Sequence, residues 1–298
     1  MTRAFLVVNP AAGAGRTRRL WRTLRERLRG VGLAFESTET DGRGAATEIA
    51  RRAAGEGWPL VVAVGGDGTV NEVVNGLVDA SGRARASLGV IVTGRGRDVC
   101  RNLGIAADPE VASRRLVDGE EILADLGRVE WDGGHARYFL NAVGAGFDAV
   151  VARRAEARPG AGTVPYLLAV LGAIRAHRSL PAEIAVDDQR VWSGPLTAAV
   201  VANGSHYGGG MKIAPAADPA DGWLDLIVLG DLGRAELLRW LPSVFSGRHL
   251  ENPKVTAHRG RTVRIDATTR LPMHLDGEAA PETPARISVL PRALRLRR

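Results

Sequence analysis

The chain has 298 residues, 45% hydrophobic and 24% charged, with a formal net charge of +7. These values exclude a disordered or fibrous chain and describe a globular protein long enough for two domains. The single cysteine, Cys100, excludes an intramolecular disulfide and points to a reducing compartment.

The charge suggests anionic partners such as nucleotides or an acidic membrane surface. That inference is weakened by a chain-wide bias toward Arg, Ala and Gly, since Lys212 and Lys254 are the only lysines. The densest basic cluster is the tail Arg292, Arg295, Arg297 and Arg298, which reads as a solvated end or a membrane contact. The N-terminus lacks a secretory apolar region, and the longest apolar stretch, Val164 to Ile174, is about half the ~20 residues of a spanning helix. The expectation is a cytoplasmic protein able to sit peripherally at the inner membrane face. Nucleic acid is not expected as a partner, and a homo-oligomer is left open.

In chain order, Ala4 to Val8 reads as a strand, followed by the turn "NPAAGAGR" beginning at Asn9 and a helix over Arg18 to Arg29. Val31 to Ser37 reads as a second strand and Ala45 to Glu56 as a second helix. Val61 to Val64 is an apolar strand running into Gly65-Gly66-Asp67-Gly68-Thr69, and the apolar positions 70, 73, 74 and 77 open another helix. A further strand, Leu88 to Val92, leads into a second glycine turn, "TGRGRD", and a helical segment at 110–118. Strand and helix in alternation imply a parallel sheet with ligands at the carboxyl ends of its strands. From about residue 128 the pattern changes to short strand-like runs separated by turns, as in an antiparallel sandwich, interrupted by helical segments at 164–177 and 233–246. The expected boundaries are 1–127 for an α/β domain and 128–298 for a β-rich domain, whose last residues could pack back on the first.

The Gly65 to Thr69 turn has the chemistry of an anion site, because glycines admit close approach and the free N–H groups of a helix start carry partial positive charge. Asp67 is out of place there. It is either a helix cap or turn residue, or a carboxylate bridged to phosphate by a cation. "NPAAGAGR" sits after its strand as a phosphate-approaching turn would, although it is not a Walker A loop. Asp218, Asp221 and Asp225 fall together in a turn-rich segment, which suits a hard cation or an ordinary loop. In "HLDGEAAP", Asp276 and Glu278 flank a glycine, as a turn or as a general base with a partner. The six histidines show no metal-ligand spacing. Tyr207 and His206, beside a glycine turn, read as packing residues or as lining a cleft.

These stretches, "VVNPAAGAGR", "VVAVGGDGTVNEVVNGL", "NAVGAGFDA", "ANGSHYGGGMKIAPAADPADGWLDLIVL" and "LDGEAAPETP", occur in one order along nearly the whole chain. Together they resemble the diacylglycerol kinase catalytic family. The resemblance implies a nucleotide-binding α/β domain followed by a β-sandwich, with the active site in the cleft between them, and ATP and Mg²⁺ as cofactors. It places ATP phosphates on Gly65, Gly66, Asp67, Gly68, Thr69 and Asn71, with Asn9, Gly94 and Arg95 nearby and a nucleotide contact at Thr40. A metal would be held by Asp218, Asp221 and the carbonyl of Trp223. Asp276, assisted by Glu278, would take the proton of a lipid hydroxyl, the lipid being diacylglycerol or a relative met at an anionic membrane surface.

One departure matters. Where the family has G-T-x-N-D, this chain has Gly94-Arg95-Gly96-Arg97-Asp98. The guanidinium groups either add charge-assisted bonds to the triphosphate or fill the nucleotide pocket. Two rival functions follow: a non-catalytic lipid-binding or regulatory relative with an altered pocket, and an NAD kinase-like enzyme.

Overall fold

A computed structural model describes residues 2–94, 97–131, 133–156 and 163–298. They form two compact units, one of residues 1–126 with 290–298 and one of residues 127–289.

The first unit alternates β1 (Arg3–Val8), α1 (Ala12–Gly30), β2 (Ala34–Glu39), α2 (Ala45–Gly55), β3 (Leu60–Gly65), α3 (Asp67–Leu77), β4 (Ser87–Val92), α4 (Asp98–Leu103) and α5 (Pro109–Asp118). Its strands pair in parallel in the order β2-β1-β3-β4. All six residues of β3 and of β4 are buried. Strands covered by helices on both faces must be apolar at every position, so these two read as continuous apolar runs. The helices bury one stripe each; α1, for example, presents Trp21, Leu24 and Leu28 to the core formed by Leu6, Val62, Val64 and Ile91. The second strand begins three residues later than expected. Val31 and Gly32 close α1 instead, Val31 through its N–H on the Arg27 carbonyl and Gly32 through a left-handed φ of 83°.

The second unit opens with β5 (Glu121–Trp131), which begins in the first, and continues through β6 (Ala136–Phe139), β7 (Ala142–Gly146), α6 (Phe147–Glu156), α7 (Thr163–Ala176), β8 (Leu180–Val186), β9 (Gln189–Leu196), β10 (Ala198–Ala202), β11 (Leu224–Leu229) and α8 (Arg234–Trp240). It ends with β12 (Val255–Gly260), β13 (Thr262–Ala267), β14 (Met273–Leu275), β15 (Glu278–Ala280) and β16 (Ala285–Arg297). One antiparallel sheet runs β12-β11-β10-β7-β14-β15, and a second set joins the start of β16 to β13, β8 and β9. Val143, Val201, Leu226 and Met273 from the first face Ile184, Val263, Ile265 and Ile287 from the second across one apolar core. This is a β-sandwich. The end of β16 belongs to the first unit, where Leu296 pairs in parallel with Leu88 of β4.

Among the described residues no helix is long and apolar enough to cross a membrane.

Helix α3 approaches α2 closely at Gly76, where a Cβ would fall on the Thr47 carbonyl oxygen and 2.8 Å from Ala50 Cβ. Gly76→Ala should therefore destabilise the first unit by about 1–3 kcal/mol through overpacking, despite the better helix propensity of alanine. Urea unfolding followed by circular dichroism measures this, and an unchanged midpoint would contradict the close approach.

Candidate active site

The turns after β1, β3 and β4 lie together at the carboxyl end of the parallel sheet. Asn9 donates its backbone N–H to Val64 O at 2.9 Å and its side-chain Nδ2 to Thr69 Oγ1 at 2.9 Å. Thr93 and Gly94 both donate to Gly65 O, at 2.8 and 3.2 Å. Thr40, at the end of β2, donates its N–H to Val8 O at 2.8 Å and so reaches the same edge. The glycines are needed for this assembly. A Cβ on Gly94 would lie 2.7 Å from Gly66 Cα, and one on Gly13 would lie 2.8 Å from Thr93 O. Gly13, Ala14 and Gly15 take successive left-handed φ values of 62°, 56° and 79°, which break the first turn of α1 and leave a concave run of backbone there.

Gly66 caps α3, and no side chain caps this helix, so Asp67 stands at its first turn in another capacity. Asp67 Oδ2 accepts the Asp98 N–H at 3.3 Å, and Asp98, itself buried, is paired with Arg101 at 2.6 Å. One carboxylate, that of Asp67, thus stands at the start of α3, a hard-oxygen donor of the kind that suits a Mg²⁺ ion carried by phosphates, while that of Asp98 is held by Arg101. Asn71 is 1% exposed and accepts from Asn75 Nδ2, so its side chain belongs to the interior of the unit. Arg95 lies outside the described residues. Arg97 is exposed, which does not match a side chain filling a pocket. Burial and the charge of Asp67 push the Cys100 thiol up to about 11 against the opposing pull of Arg97 and Arg101, so it stays a protonated, inert thiol near neutral pH. Glu72, which the sequence did not single out, bonds the N–H groups of Gly44 and Ala46 at 3.0 and 3.1 Å and so serves the start of α2.

In the second unit, Asp276 and Gly277 form the two-residue connection between β14 and β15, with φ values of 47° and 90° and Leu275 opposite Glu278. Both being left-handed, they make the turn that Asp-Gly favours in hairpins. The Asp276 carboxylate accepts three backbone N–H groups: Leu140 on Oδ2 at 2.9 Å, and Asn141 and Ala142 on Oδ1 at 2.9 and 3.0 Å. Its own N–H donates to Ala142 O at 2.9 Å. Both oxygens of Asp276, the expected proton acceptor, thus hold the loop before β7. Glu278 is placed differently, partly exposed, with Oε2 3.3 Å from Arg137 Nη2 of β6.

The residues expected to hold a metal, Asp218, Asp221 and Trp223, lie in the loop before β11. Asp221 Oδ1 accepts the Trp223 N–H at 3.0 Å and Oδ2 is taken by the Arg259 guanidinium, while Asp218 Oδ1 accepts from Ala220 and its carbonyl from the Asp221 N–H. Arg259 also lies 3.9 Å from Asp225, whose carboxyl is pushed up by burial against that pull. The positive partner of Asp221 in this loop is the Arg259 guanidinium. Among the described residues no group of three or more His, Cys, Asp and Glu is arranged to hold a metal ion. The sequence reading also missed Asp148 and His274, although both stand inside the stretches "NAVGAGFDA" and "HLDGEAAP"; the cue available was a histidine two residues before Asp276 on one strand.

With this geometry in hand, similarity to known proteins is specific. The diacylglycerol kinase catalytic domain matches residues 3–129, and the YegS C-terminal NAD kinase beta sandwich-like domain matches residues 141–298. A diacylglycerol kinase of Mycobacterium tuberculosis is 33% identical over 255 residues, 85% of this chain and 81% of that protein. One of Bacillus subtilis is 28% identical over 93% of this chain and 90% of its own length. A crystal structure of a diacylglycerol kinase from Bacillus anthracis shares the fold with a TM-score of 0.74 at 22% identity, covering 99% of this chain and 96% of that one. An NAD kinase from Archaeoglobus fulgidus in complex with ATP is more distant, with a TM-score of 0.58 at 15% identity over 99% and 93% of the two chains. The chain belongs to the diacylglycerol kinase catalytic family and is, by that membership, a lipid kinase.

Proposed function

We propose that the protein transfers the γ-phosphoryl group of ATP to the hydroxyl of diacylglycerol or a closely related lipid. The observation that carries this reading is the division of labour in Asp276-Gly277-Glu278. One carboxylate is locked on three backbone N–H groups, and the other is offered at the start of β15 beside Arg137. In the first unit, the turns around Gly13, Gly65 and Gly94 present backbone to a polyphosphate at a helix start. Asp67 would hold the Mg²⁺ that accompanies the nucleotide, and that ion would offset the charge on the phosphate oxygens.

The chemistry asked of the chain is then small. Glu278 accepts the proton of the lipid hydroxyl as its oxygen bonds to the γ-phosphorus, the bond to the β-bridging oxygen breaks, and ADP leaves. Arg137 holds Glu278 in place by their ion pair. The lipid is met at an anionic bilayer surface, to which an arginine-rich chain of net charge +7 is drawn. Support for ATP as donor comes from the family and from the ATP complex of the distant NAD kinase.

Purified protein given Mg-ATP and mixed micelles should phosphorylate diacylglycerol or another member of a panel of hydroxyl-bearing lipids, with NAD as a control acceptor. Transfer to none of the lipids by a protein that binds ATP would overturn the reading. The two carboxylates should separate cleanly. Glu278→Gln should lower kcat by about 10²-fold or more while leaving the melting temperature unchanged. Asp276→Asn should destabilise the second unit by about 2–3 kcal/mol, because an amide turns an N–H₂ toward backbone donors and loses the charge that served them. Thermal melts alongside kinetics distinguish these outcomes; equal effects on both quantities in both variants would refute the division.

A further inference from the structure

Asp148, Tyr207 and His274 form a polar cluster in the second unit that the proposed chemistry leaves unused. His274 lies on β14 and is 1% exposed. Its Nε2 is 3.0 Å from Asp148 Oδ2 in the first turn of α6, and its Nδ1 is 3.3 Å from the Gly277 backbone nitrogen. A backbone N–H can only donate, so Nδ1 must accept. The neutral ring then carries its proton on Nε2 and donates it to Asp148. Both bonds demand the same tautomer. Tyr207 adds its hydroxyl to Asp148 Oδ2 at 3.4 Å and stacks on the His274 ring, with centroids 5.4 Å apart and planes at 22°.

The surrounding backbone is cut to this pair. Gly144 of β7 stands opposite His274, and a Cβ there would strike Asp148 Oδ2 and His274 Nε2. The position has to be glycine for the carboxylate and imidazole to meet. On the far side, the turn that His274 reaches is the one already clamped through Asp276 to residues 140–142. The Asp276 clamp fixes the first residue of the turn, and His274 fixes the second.

We propose that His274, held in one tautomer by Asp148, is a positioning residue for phosphoryl transfer: it fixes the Gly277 amide and through it the placement of Glu278. The inference rests on the reading of Glu278 as proton acceptor. A base must lie within hydrogen-bond reach of the proton it takes, and a misplacement near 1 Å costs about 10²-fold in rate. His274 acts through the turn and touches no substrate.

The full-length chain allows the test with His274→Ala, His274→Gln and Asp148→Asn. Glutamine can donate its amide N–H to Asp148 and accept from Gly277, so it should restore what alanine removes. In the wild type, ¹⁵N imidazole spectra should show His274 protonated at Nε2 only, and Asp148→Asn should disturb that tautomer. Amide hydrogen exchange at Gly277 and Glu278 should quicken by about tenfold in His274→Ala and remain near the wild-type rate in His274→Gln, as local opening predicts. With Mg-ATP and lipid, His274→Ala should lower kcat by roughly 10–100-fold with KM for ATP nearly unchanged, and His274→Gln should recover most of the loss. An Nδ1-protonated ring, unchanged exchange at Gly277 and Glu278, or a folded His274→Ala protein with wild-type kcat would each overturn the proposal. Failure of the lipid-kinase reading looks different: the wild type then transfers phosphate to no lipid, while the spectra and the exchange rates still decide whether His274 orders the turn.

Discussion

The second unit depends on a carboxylate that meets three backbone N–H groups. Loop residues 140–142 lead into β7, a strand at the centre of one sheet, and their amides converge on Asp276 at 2.9 to 3.0 Å. Buried backbone donors must find acceptors, and a charged acceptor serving several at once is among the stronger local bonds a protein makes. The consequence is geometric: the tip of the β14–β15 hairpin is attached to a different part of the chain, so Glu278 starts its strand from a fixed point. A left-handed φ of 47° at Asp276 is the strain this accepts, and an aspartate tolerates it better than most residues.

The first unit solves a different problem with the opposite device. There the ligand is expected to be anionic, and the chain offers backbone in place of side chains. Gly13 and Gly94 bring three turns within contact at the carboxyl ends of β1, β3 and β4, at distances that a Cβ would forbid. Asn9 stitches two of these turns together through Val64 and Thr69. The Asp98 carboxylate is offset there by Arg101, and that of Asp67 would repel a phosphate unless a cation stood between them.

Much of this was legible in the sequence where the signal is local. The strand-turn-helix at 60–77 announced itself because a doubly covered strand must be apolar throughout and a tight turn needs glycine. The sandwich was legible from its short runs. Helix α4 was not, since its six residues, with Val99, Cys100 and Leu103 buried, are too short a run for an apolar period to stand out. Side-chain partners were not legible where they are distant in sequence. Nothing near Asp276 shows the amides 134–136 residues earlier, and Arg259, 38 residues beyond Asp221, is invisible from the loop. Local spacing reports which groups can act, and long-range partners decide which of them are already engaged.

That distinction also explains how two acidic residues one glycine apart come to differ in role. The turn residue Asp276 faces loop backbone, while Glu278 begins β15, the edge strand of its sheet, and lies beside Arg137 of β6, a strand of the other sheet. Asp276 therefore inherits amides, and Glu278 inherits Arg137 from β6. Exchanging the two side chains would not exchange the roles. A glutamate at the turn would overreach the amides by a methylene and meet the left-handed backbone less easily, and an aspartate on the strand would fall short of the arginine. The order Asp-Gly-Glu is thus set by the turn geometry before any chemistry is asked of it, and the proposed role of Glu278 rests on its place beside Arg137 at the start of the returning strand.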